Sequence, residues 1–179
     1  MSIDQLTPGT WNVDASHSTI GFSARHLMLS KVRGRFATFE GSITVGDDPL
    51  ASKVAATVDI ASVTTGDAAR DGHLLGEDFF DVANFPSMGL STTAVRSVGD
   101  DYVLDGDLTI KGVTKPVSFA LQFEGVAADP WGGTRAAFSA ETEINRKDWG
   151  LSWNVALETG GVLVGEKVKI QLDIQAVRV

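Results

Sequence analysis

The chain has 179 residues, a formal net charge of −8, a pI of about 4.7 and no cysteine. The missing cysteines exclude disulfides, a thiolate nucleophile and a cysteine-based zinc site. The acidic balance disfavours nucleic acid and anionic membrane surfaces as partners, because phosphate binding needs concentrated lysine and arginine. We expect one domain over residues 1–179, since all-β barrels of this length fold as single units.

The first residues, Met1–Pro8, have neither the basic start nor the apolar stretch of a secretory signal. No segment approaches the roughly 18 consecutive apolar residues that a membrane-spanning helix needs. We therefore expect a cytoplasmic protein without a membrane span.

Alternation of apolar and polar residues predicts that most of the chain forms β-strands with one buried face. In chain order, the alternating runs cover residues 20–24, 39–45, 54–60, 104–110, 117–123, 136–144 and 168–176. The phase slips between Phe36 and Phe39, which predicts a bend or bulge there. We count about eight strands, and their clean alternation favours antiparallel pairing.

Two other segments carry local signals. Gly112–Pro116 is a short link, so the strands on either side of it should form a hairpin. Residues 70–81 break the alternation and place two leucines and two phenylalanines at helical spacing. They predict a short, imperfect helix that ends at Ala83–Pro86, because two glycines weaken it and proline disfavours a helical residue before it.

These elements predict an all-β fold, a single antiparallel eight-stranded β-barrel with a short helical segment near residues 70–81. Closure into a barrel removes exposed sheet edges, which a two-sheet sandwich would keep. The inward set mixes large residues such as Phe119 and Phe138 with small ones such as Ala56 and Ala140. Small inward residues leave room for a narrow apolar bore, while a core filled by side chains is the alternative that periodicity leaves open.

Several motifs, in a characteristic order, connect the chain to a known family. They are Trp11–Phe22, Arg25–Leu27, Val32–Phe36, Arg70–Leu74 with Asp78–Asp81 and Phe85–Pro86, Gly106–Val117, and Ile144–Gly150. With them the chain resembles the YceI-like family of lipocalin-fold, polyisoprenoid-binding proteins, from about Gly9 to Val177. The most specific motif is the group that begins at Arg70.

This resemblance implies a lipocalin-like barrel whose bore holds a long isoprenoid, quinone-like or fatty lipid. The lipid would be the only bound group, and the resemblance implies no metal and no further cofactor. Many relatives are exported to the periplasm, whereas this chain lacks an export signal, so we expect it in the cytoplasm. Relatives often pair, which makes a homodimer one candidate assembly.

We predict that the lipid contacts apolar side chains of the strands, the helical segment and the tryptophan region. The predicted ligand-binding residues are Ile20, Phe22, Phe36, Phe39, Ala56, Val58, Leu74, Leu75, Phe79, Phe80, Phe85, Leu108, Ile110, Phe119, Leu121, Phe138, Ala140, Trp149, Trp153 and Ile170. Those between residues 74 and 85 would gate the cavity, or they would simply pack one end of the barrel. Trp149 and Trp153 would cover the lipid or fill the core, and Trp131 should lie at a rim.

Polar residues near the barrel mouth are candidates for contact with a lipid head group. We name His26, Arg70, His73 and Arg146 in this role, since arginine binds phosphate and histidine donates hydrogen bonds. The structural alternative is that Arg70 and Asp71 cap the helix and tie it to the barrel rim, and that Arg146 pairs with a carboxylate such as Asp71.

We find no catalytic apparatus. The three histidines, His17, His26 and His73, lack the i, i+4 spacing of a helical zinc site. Asp14, His17 and Ser18 do not form a triad if they lie along an extended chain, and no Gly-x-Ser-x-Gly motif is present.

Three functions compete at this point. We favour a protein that carries or sequesters a lipid. The alternatives are an enzyme that acts on a small lipid or quinone through His73 or Arg70, and a stress-related structural or interaction module with a filled barrel.

Overall fold

The computed structural model describes residues 1–179, and most of them belong to one antiparallel β-sheet. Its strands are β1 (Gly9–Val13), β2 (Thr19–His26), β3 (Ser30–Phe36), β4 (Phe39–Val45), β5 (Lys53–Asp59), β6 (Val63–Thr64), β7 (Ser87–Val98), β8 (Asp101–Ile110), β9 (Val113–Ala128), β10 (Thr134–Asn145) and β11 (Val164–Arg178). One α-helix, α1 (Ala68–Leu75), lies between β6 and β7. Short 3-10 helices are formed by Ile3–Gln5, Ala15–His17, Pro49–Ala51, Ile60–Ser62 and Arg146–Trp149.

Eight of the strands close into a barrel. Their order is β1-β4-β5-β7-β8-β9-β10-β11, and the C-terminal part of β11 closes the ring by pairing with β1. The N-terminal part of β11 pairs instead with β2, and β3 and β6 follow β2 as an extension of the same sheet. The predicted eight-stranded antiparallel barrel is therefore confirmed.

The eleven strands arise because three long strands are each interrupted once. Ala15–His17 separates β1 from β2, Ala37 and Thr38 separate β3 from β4, and Ile60–Ser62 separates β5 from β6. The interruption between β3 and β4 confirms the bend predicted from the phase slip. Aspartate side chains cap two of these breaks, since Asp14 accepts from the backbone N–H of Ser16 and Asp59 from that of Ala61.

The predicted hairpin between β8 and β9 is confirmed, with a tighter turn than predicted. Ile110 pairs with Val113, so only Lys111 and Gly112 lie between the two strands. Their φ angles are 49° and 74°, as a type I′ turn requires. Pro116 is therefore a residue of β9 rather than of the turn.

Helix α1 is shorter than the predicted segment and starts earlier. Asp67 caps its N-terminus by accepting from the N–H of Arg70 at 3.0 Å, and Gly76 caps its C-terminus. The prediction that the helix continues to Ala83–Pro86 is wrong. Residues 76–86 form tight turns instead, in which the N–H of Phe80 donates to the carbonyl of Leu74. No helix of the structure has the length and apolarity that crossing a bilayer requires.

One end of the barrel is closed by the N-terminal residues, and we call it the plugged end. Ile3 and Leu6 are buried there in one cluster with Trp11, Val45 and Ala176 of β11. The N–H of Ile3 donates to the Tyr102 hydroxyl at 3.0 Å, and Trp11 Nε1 donates to the carbonyl of Thr7 at 3.1 Å. The plug therefore satisfies its polar groups while it buries apolar surface.

The opposite end, which we call the mouth, is built differently. β6 pairs only with β3, and no strand pairing joins β6 to β7. The chain crosses this gap through α1 and residues 76–86. The turn between β2 and β3 and the connection between β10 and β11 lie at the same end, because His26 pairs with Val164.

Candidate functional site

An apolar cavity of about 170 Å³ occupies the barrel axis, and we call it the bore. Of the 23 residues that line it, 21 are hydrophobic. Ile3 and Leu6 of the plug close its far end. The predicted residues Ala56, Val58, Leu108, Ile110, Phe119, Leu121, Phe138, Ala140, Ile20 and Ile170 lie on its wall. The barrel is therefore not filled by its own side chains.

A second apolar cavity, of about 130 Å³, continues the bore toward the mouth. Ile20, Met88, Ile110 and Ile170 line both cavities, so the two spaces adjoin. The wall of this middle cavity includes the predicted residues Phe22, Phe36, Leu74, Phe79, Phe80 and Trp149.

The third and largest cavity, of about 410 Å³, lies at the mouth. It shares Phe22, Ala24, Leu74, Phe79 and Val164 with the middle cavity. The residues that line it also include the polar residues Arg25, His26, Thr65, Arg70 and His73 and the predicted residue Trp153. Mouth cavity, middle cavity and bore thus lie in series, and we call this series of cavities the route; it is polar at its entrance and apolar along its length.

Phe22 lines both the mouth cavity and the middle cavity, and a glycine determines its position. Phe22 pairs with Gly34 across β2 and β3, and its ring covers the glycine. A Cβ atom on residue 34 would come within 2.3 Å of the ring. The absence of a side chain on Gly34 therefore allows Phe22 to lie flat against the wall.

Three predicted residues lie away from the cavities. Phe39 and Leu75 pack beside a separate cluster formed by Phe36, Val58, Ile60 and Val63. Phe39 pairs with Val58 and so lies on the same face of the sheet, but it packs into this cluster after the bend that follows β3. Leu75 lies about 100° around α1 from Leu74 and therefore faces a different side than predicted. The ring of Phe85 rests on Gly112 of the β8–β9 turn. Phe85 therefore packs outside the barrel end.

Several wall residues were absent from the prediction. Met88, Leu90 and Val95 of β7 line the bore, as do Ile3 and Leu6. A register shift between Thr92 and Ala94 interrupts the alternation of β7, which hides the strand from a period-two pattern. The alternation of Met88 and Leu90 was the available signal.

Arg70 and Asp71 hold α1 against the end of β6. Arg70 donates from Nε to Thr65 Oγ1 at 2.7 Å and from Nη2 to the Thr65 carbonyl at 3.0 Å. Asp71 accepts from the Thr65 N–H at 2.8 Å and from its hydroxyl at 2.6 Å. The predicted tie between helix and rim is thus present, although Asp67 rather than this pair caps the helix. Arg70 also lines the mouth cavity.

His73 and Trp153 form an aromatic corner at the mouth. The His73 ring stacks edge-on against Trp153 and Phe79, with centroid distances of 4.6 and 5.0 Å. Its Nε2 lies 2.9 Å from Asp78 Oδ2. Trp149, by contrast, is a core residue, with its Nε1 donating to the carbonyl of Leu108 at 3.0 Å. The exposed Trp131 lies in the β9–β10 turn at the plugged end, as the rim prediction required.

Arg146 is buried without a carboxylate partner, so the predicted pairing with Asp71 is wrong. Its guanidinium donates to the backbone carbonyls of Leu151, Val164 and Gly165 and lies 5.9 Å from the centre of the Phe79 ring. Burial lowers the pKa of Arg146 below its usual value. The side chain borders the middle cavity and joins the β10–β11 connection to the barrel.

The segment around His17 was expected to be extended, and it is a 3-10 turn instead. Asp14, Ser16 and His17 converge there, with His17 Nδ1 at 2.9 Å from Asp14 Oδ2 and 3.0 Å from Ser16 Oγ. Both contacts use the same ring nitrogen, whereas a catalytic triad uses two. Ser18 points away and donates to the carbonyl of Gln175. The group ties a surface turn and does not form a proton relay.

Comparison with known proteins agrees with this fold. Residues 11–176 match the YceI-like domain. Protein YceI of Escherichia coli is 40% identical over 139 residues, which cover 77% of this chain and 73% of that protein. The crystal structure of Burkholderia cenocepacia BcnA superposes with a TM-score of 0.76 at 22% identity, over 91% of this chain and 98% of that one.

A polyisoprenoid binding domain from Saccharophagus degradans superposes with a TM-score of 0.73 at 17% identity, over 94% of this chain and 98% of that one. At these identities the two structures establish a shared barrel. The match over most of the sequence establishes more, and the chain belongs to the YceI-like domain family.

Proposed function

We propose that this protein binds one long-chain lipid, an isoprenoid, quinone-like or fatty chain, and carries or sequesters it. The observation that supports this most directly is the series of adjoining cavities that leads from the polar mouth to the apolar bore. A lipid with an extended tail and a polar end has the same distribution of polarity.

The energetics favour an extended hydrocarbon over a compact polar ligand. Each CH₂ group that leaves water for such a bore contributes about 0.8 kcal/mol before the cost of ordering the chain. The bore offers almost no polar partner, so a hydroxyl or amide placed there would lose its hydrogen bonds to water without replacement. The ligand's polar groups therefore belong at the mouth.

The mouth supplies partners for such groups. Arg70, His73 and His26 line it, and Arg70 is held in place by Thr65. An arginine fixed by other contacts keeps free donors for a phosphate or a quinone oxygen. The Saccharophagus domain, which shares the fold, is named for polyisoprenoid binding, and this agrees with the proposal.

The test is to identify what the protein carries. The purified protein is extracted with organic solvent, and the extract is analysed by mass spectrometry. The emptied protein is then offered polyprenyl and quinone compounds. We expect one class of long-chain lipid in the extract and its uptake by the emptied protein. Empty extracts together with no uptake would refute the proposal.

A pair of alanine substitutions separates the bore from the outer surface. Ala56 lines the bore, and its neighbour Ala55 is exposed on the outer face of β5. Ala56→Phe should reduce lipid loading and cost about 1–3 kcal/mol of stability through overpacking. Ala55→Phe should leave loading unchanged. Equal loading in the two variants would show that the lipid does not enter the bore.

A further inference from the structure

The turn between β2 and β3 places apolar side chains in solvent. Leu27, Met28 and Leu29 form this turn and are 42%, 52% and 81% exposed. Val155 of the β10–β11 connection is also exposed, and backbone hydrogen bonds link it through Leu163 to Leu27. We call these four residues the apolar tip. Apart from the chain termini, the other large exposed apolar residues, Val98 and Trp131, lie at the plugged end.

The backbone of this turn is strained by its own sequence. Leu27 and Met28 have φ angles of 54° and 60°, and the N–H of Leu29 donates to the carbonyl of His26 at 3.1 Å. This is a type I′ turn, for which Asn-Gly is the favoured pair. Large apolar residues in this conformation are disfavoured and exposed at once, so neither folding nor solubility accounts for them.

Basic residues extend from the apolar tip along one face of the hairpin. Arg25, Lys31, Arg33 and Arg35 alternate along β2 and β3, and all four side chains are exposed on the outer face. None of the 23 acidic residues lies between residues 15 and 39. None of the four takes part in an ion pair or a side-chain hydrogen bond, whereas Lys167 and Lys169 on the neighbouring β11 pair with glutamates of β10.

From this juxtaposition we infer that the β2–β3 hairpin docks the protein on an anionic lipid bilayer. Unpaired cations on one face suit lipid phosphates, and the apolar tip suits the acyl region just below them. A nucleic acid would use the cations but not the exposed leucines. The net charge of −8 predicts repulsion at long range, but charges beyond about 8 Å are screened at physiological salt, so the local basic face dominates on close approach.

Docking at this place deepens the proposed function. Its link to lipid transfer rests on that function. The hairpin forms part of the mouth wall through Arg25, His26 and Val32. A bilayer that receives the apolar tip would therefore meet the entrance of the route. A lipid could then pass between membrane and bore without crossing water.

The test measures sedimentation of the full chain with vesicles. One set contains phosphatidylcholine alone, and the other an equal mixture of phosphatidylcholine and phosphatidylglycerol. We expect binding to the mixed vesicles only, weakening as salt rises. Absence of binding to the mixed vesicles, or binding to duplex DNA in its place, would overturn the inference.

Two double variants test the basic face, and the second is the matched control for the first. Arg33→Gln with Arg35→Gln should weaken binding to mixed vesicles about 25-fold, since each basic residue near an anionic surface contributes roughly fivefold. Lys53→Gln with Lys115→Gln removes the same charge from exposed residues elsewhere on the barrel and should leave binding nearly unchanged. An equal loss in both double variants would mean that net charge alone acts, which would overturn the inference.

A third double variant excludes misfolding as an explanation. Leu27→Asn with Met28→Gly gives the turn its favoured residues, so the melting temperature should stay the same or rise while vesicle binding is lost. Unchanged binding would overturn the role of the apolar tip.

Mass spectrometry of the same preparations separates the two proposals. Lipid-loaded protein that ignores vesicles would overturn docking alone, and vesicle binding by protein that never takes up lipid would support docking and overturn the carrier function.

Discussion

The two ends of the barrel are closed by opposite means. At the plugged end, a three-residue 3-10 helix and the residues after it bury Ile3 and Leu6, which are 5% and 4% exposed. At the mouth, the eight-residue helix α1 buries none of its side chains completely. Closure therefore depends on how much apolar surface an element buries and not on how long it is.

The difference assigns a role to each end. The plug belongs to the same cluster as Trp11, Val45 and Ala176, so its removal would expose the seam where β1 meets β11. Helix α1 is held chiefly through Thr65 and through side chains that also line the cavities. We therefore propose that the plugged end stays closed and that the mouth can open without loss of the barrel.

The largest expected effect is at the plugged end. Trp11 is 1% exposed, and Trp11→Ala should lower the free energy of unfolding by about 3–5 kcal/mol, as measured by urea denaturation. Trp131, which is 84% exposed, provides the control, because Trp131→Ala should change the free energy of unfolding by less than about 0.5 kcal/mol. A similar loss of unfolding free energy in the two variants would show that the burial of Trp11 does not stabilise the plugged end.

Native-state hydrogen exchange compares the two regions without mutation. Amides of α1 should exchange at least about a hundredfold faster than those of β8 and β9, which corresponds to roughly 3 kcal/mol of opening free energy. The reason is that α1 can open locally, whereas β8 and β9 pair on both sides. Equal protection of helix and strands would contradict an opening mouth.

Substitution of Trp153 should have a small effect on stability and a larger effect on the rate at which lipid is released. Trp153→Ala removes the aromatic contacts with His73 and Phe79 and should cost about 1–2 kcal/mol. Lipid transfer from the loaded variant to acceptor vesicles should become faster, which stopped-flow fluorescence would measure. Trp131→Ala should leave the transfer rate unchanged. An unchanged rate in Trp153→Ala would place the barrier to release elsewhere.

The smallest effect concerns an ion pair at the plugged end. Hydrogen bonds from Arg135, Ser16 and His17 hold the pKa of Asp14 well below its usual value. Because the folded pKa is the lower one, the contribution of Asp14 is present above about pH 4 and is lost as the pH falls through the folded pKa. Asp14→Asn should cost about 1 kcal/mol at neutral pH and progressively less in acid, as followed by thermal unfolding.

Asp47, exposed in the β4–β5 turn without a side-chain partner, is the matched control for that substitution. Asp47→Asn should change the free energy of unfolding by less than about 0.5 kcal/mol. If the difference in stability between Asp14→Asn and the unmodified chain stays constant from neutral to acidic pH, the ion pair does not stabilise the plugged end.

The barrel could be predicted from the sequence because alternation is a local signal that repeats. Pairs such as Ile170 and Leu172 report the face of a strand directly, and the slip between Phe36 and Phe39 reports its bend. The plug could not be predicted in the same way. Ile3 and Leu6 lie in a segment too short to show a period, and only the tertiary structure reveals that they close the bore.

Most of the residues named from the sequence line a cavity, whereas Phe39, Leu75 and Phe85 do not. These three are apolar, but composition does not tell which neighbours a side chain packs against after a bend, on a short helix or in a turn. Arg146 illustrates another limit, because a buried guanidinium that binds three backbone carbonyls leaves no complementary residue in the sequence. Contacts with backbone groups are invisible to pattern analysis.

The pairing of Phe22 with Gly34 has a consequence for what can travel along the barrel. Because residue 34 has no side chain, the benzyl ring can rest directly on the backbone of the opposite strand. A methyl group at that position would collide with the ring and force it to another rotamer. Since the ring borders both the mouth cavity and the middle cavity, the shape of the space between them depends on the smallest residue of that strand.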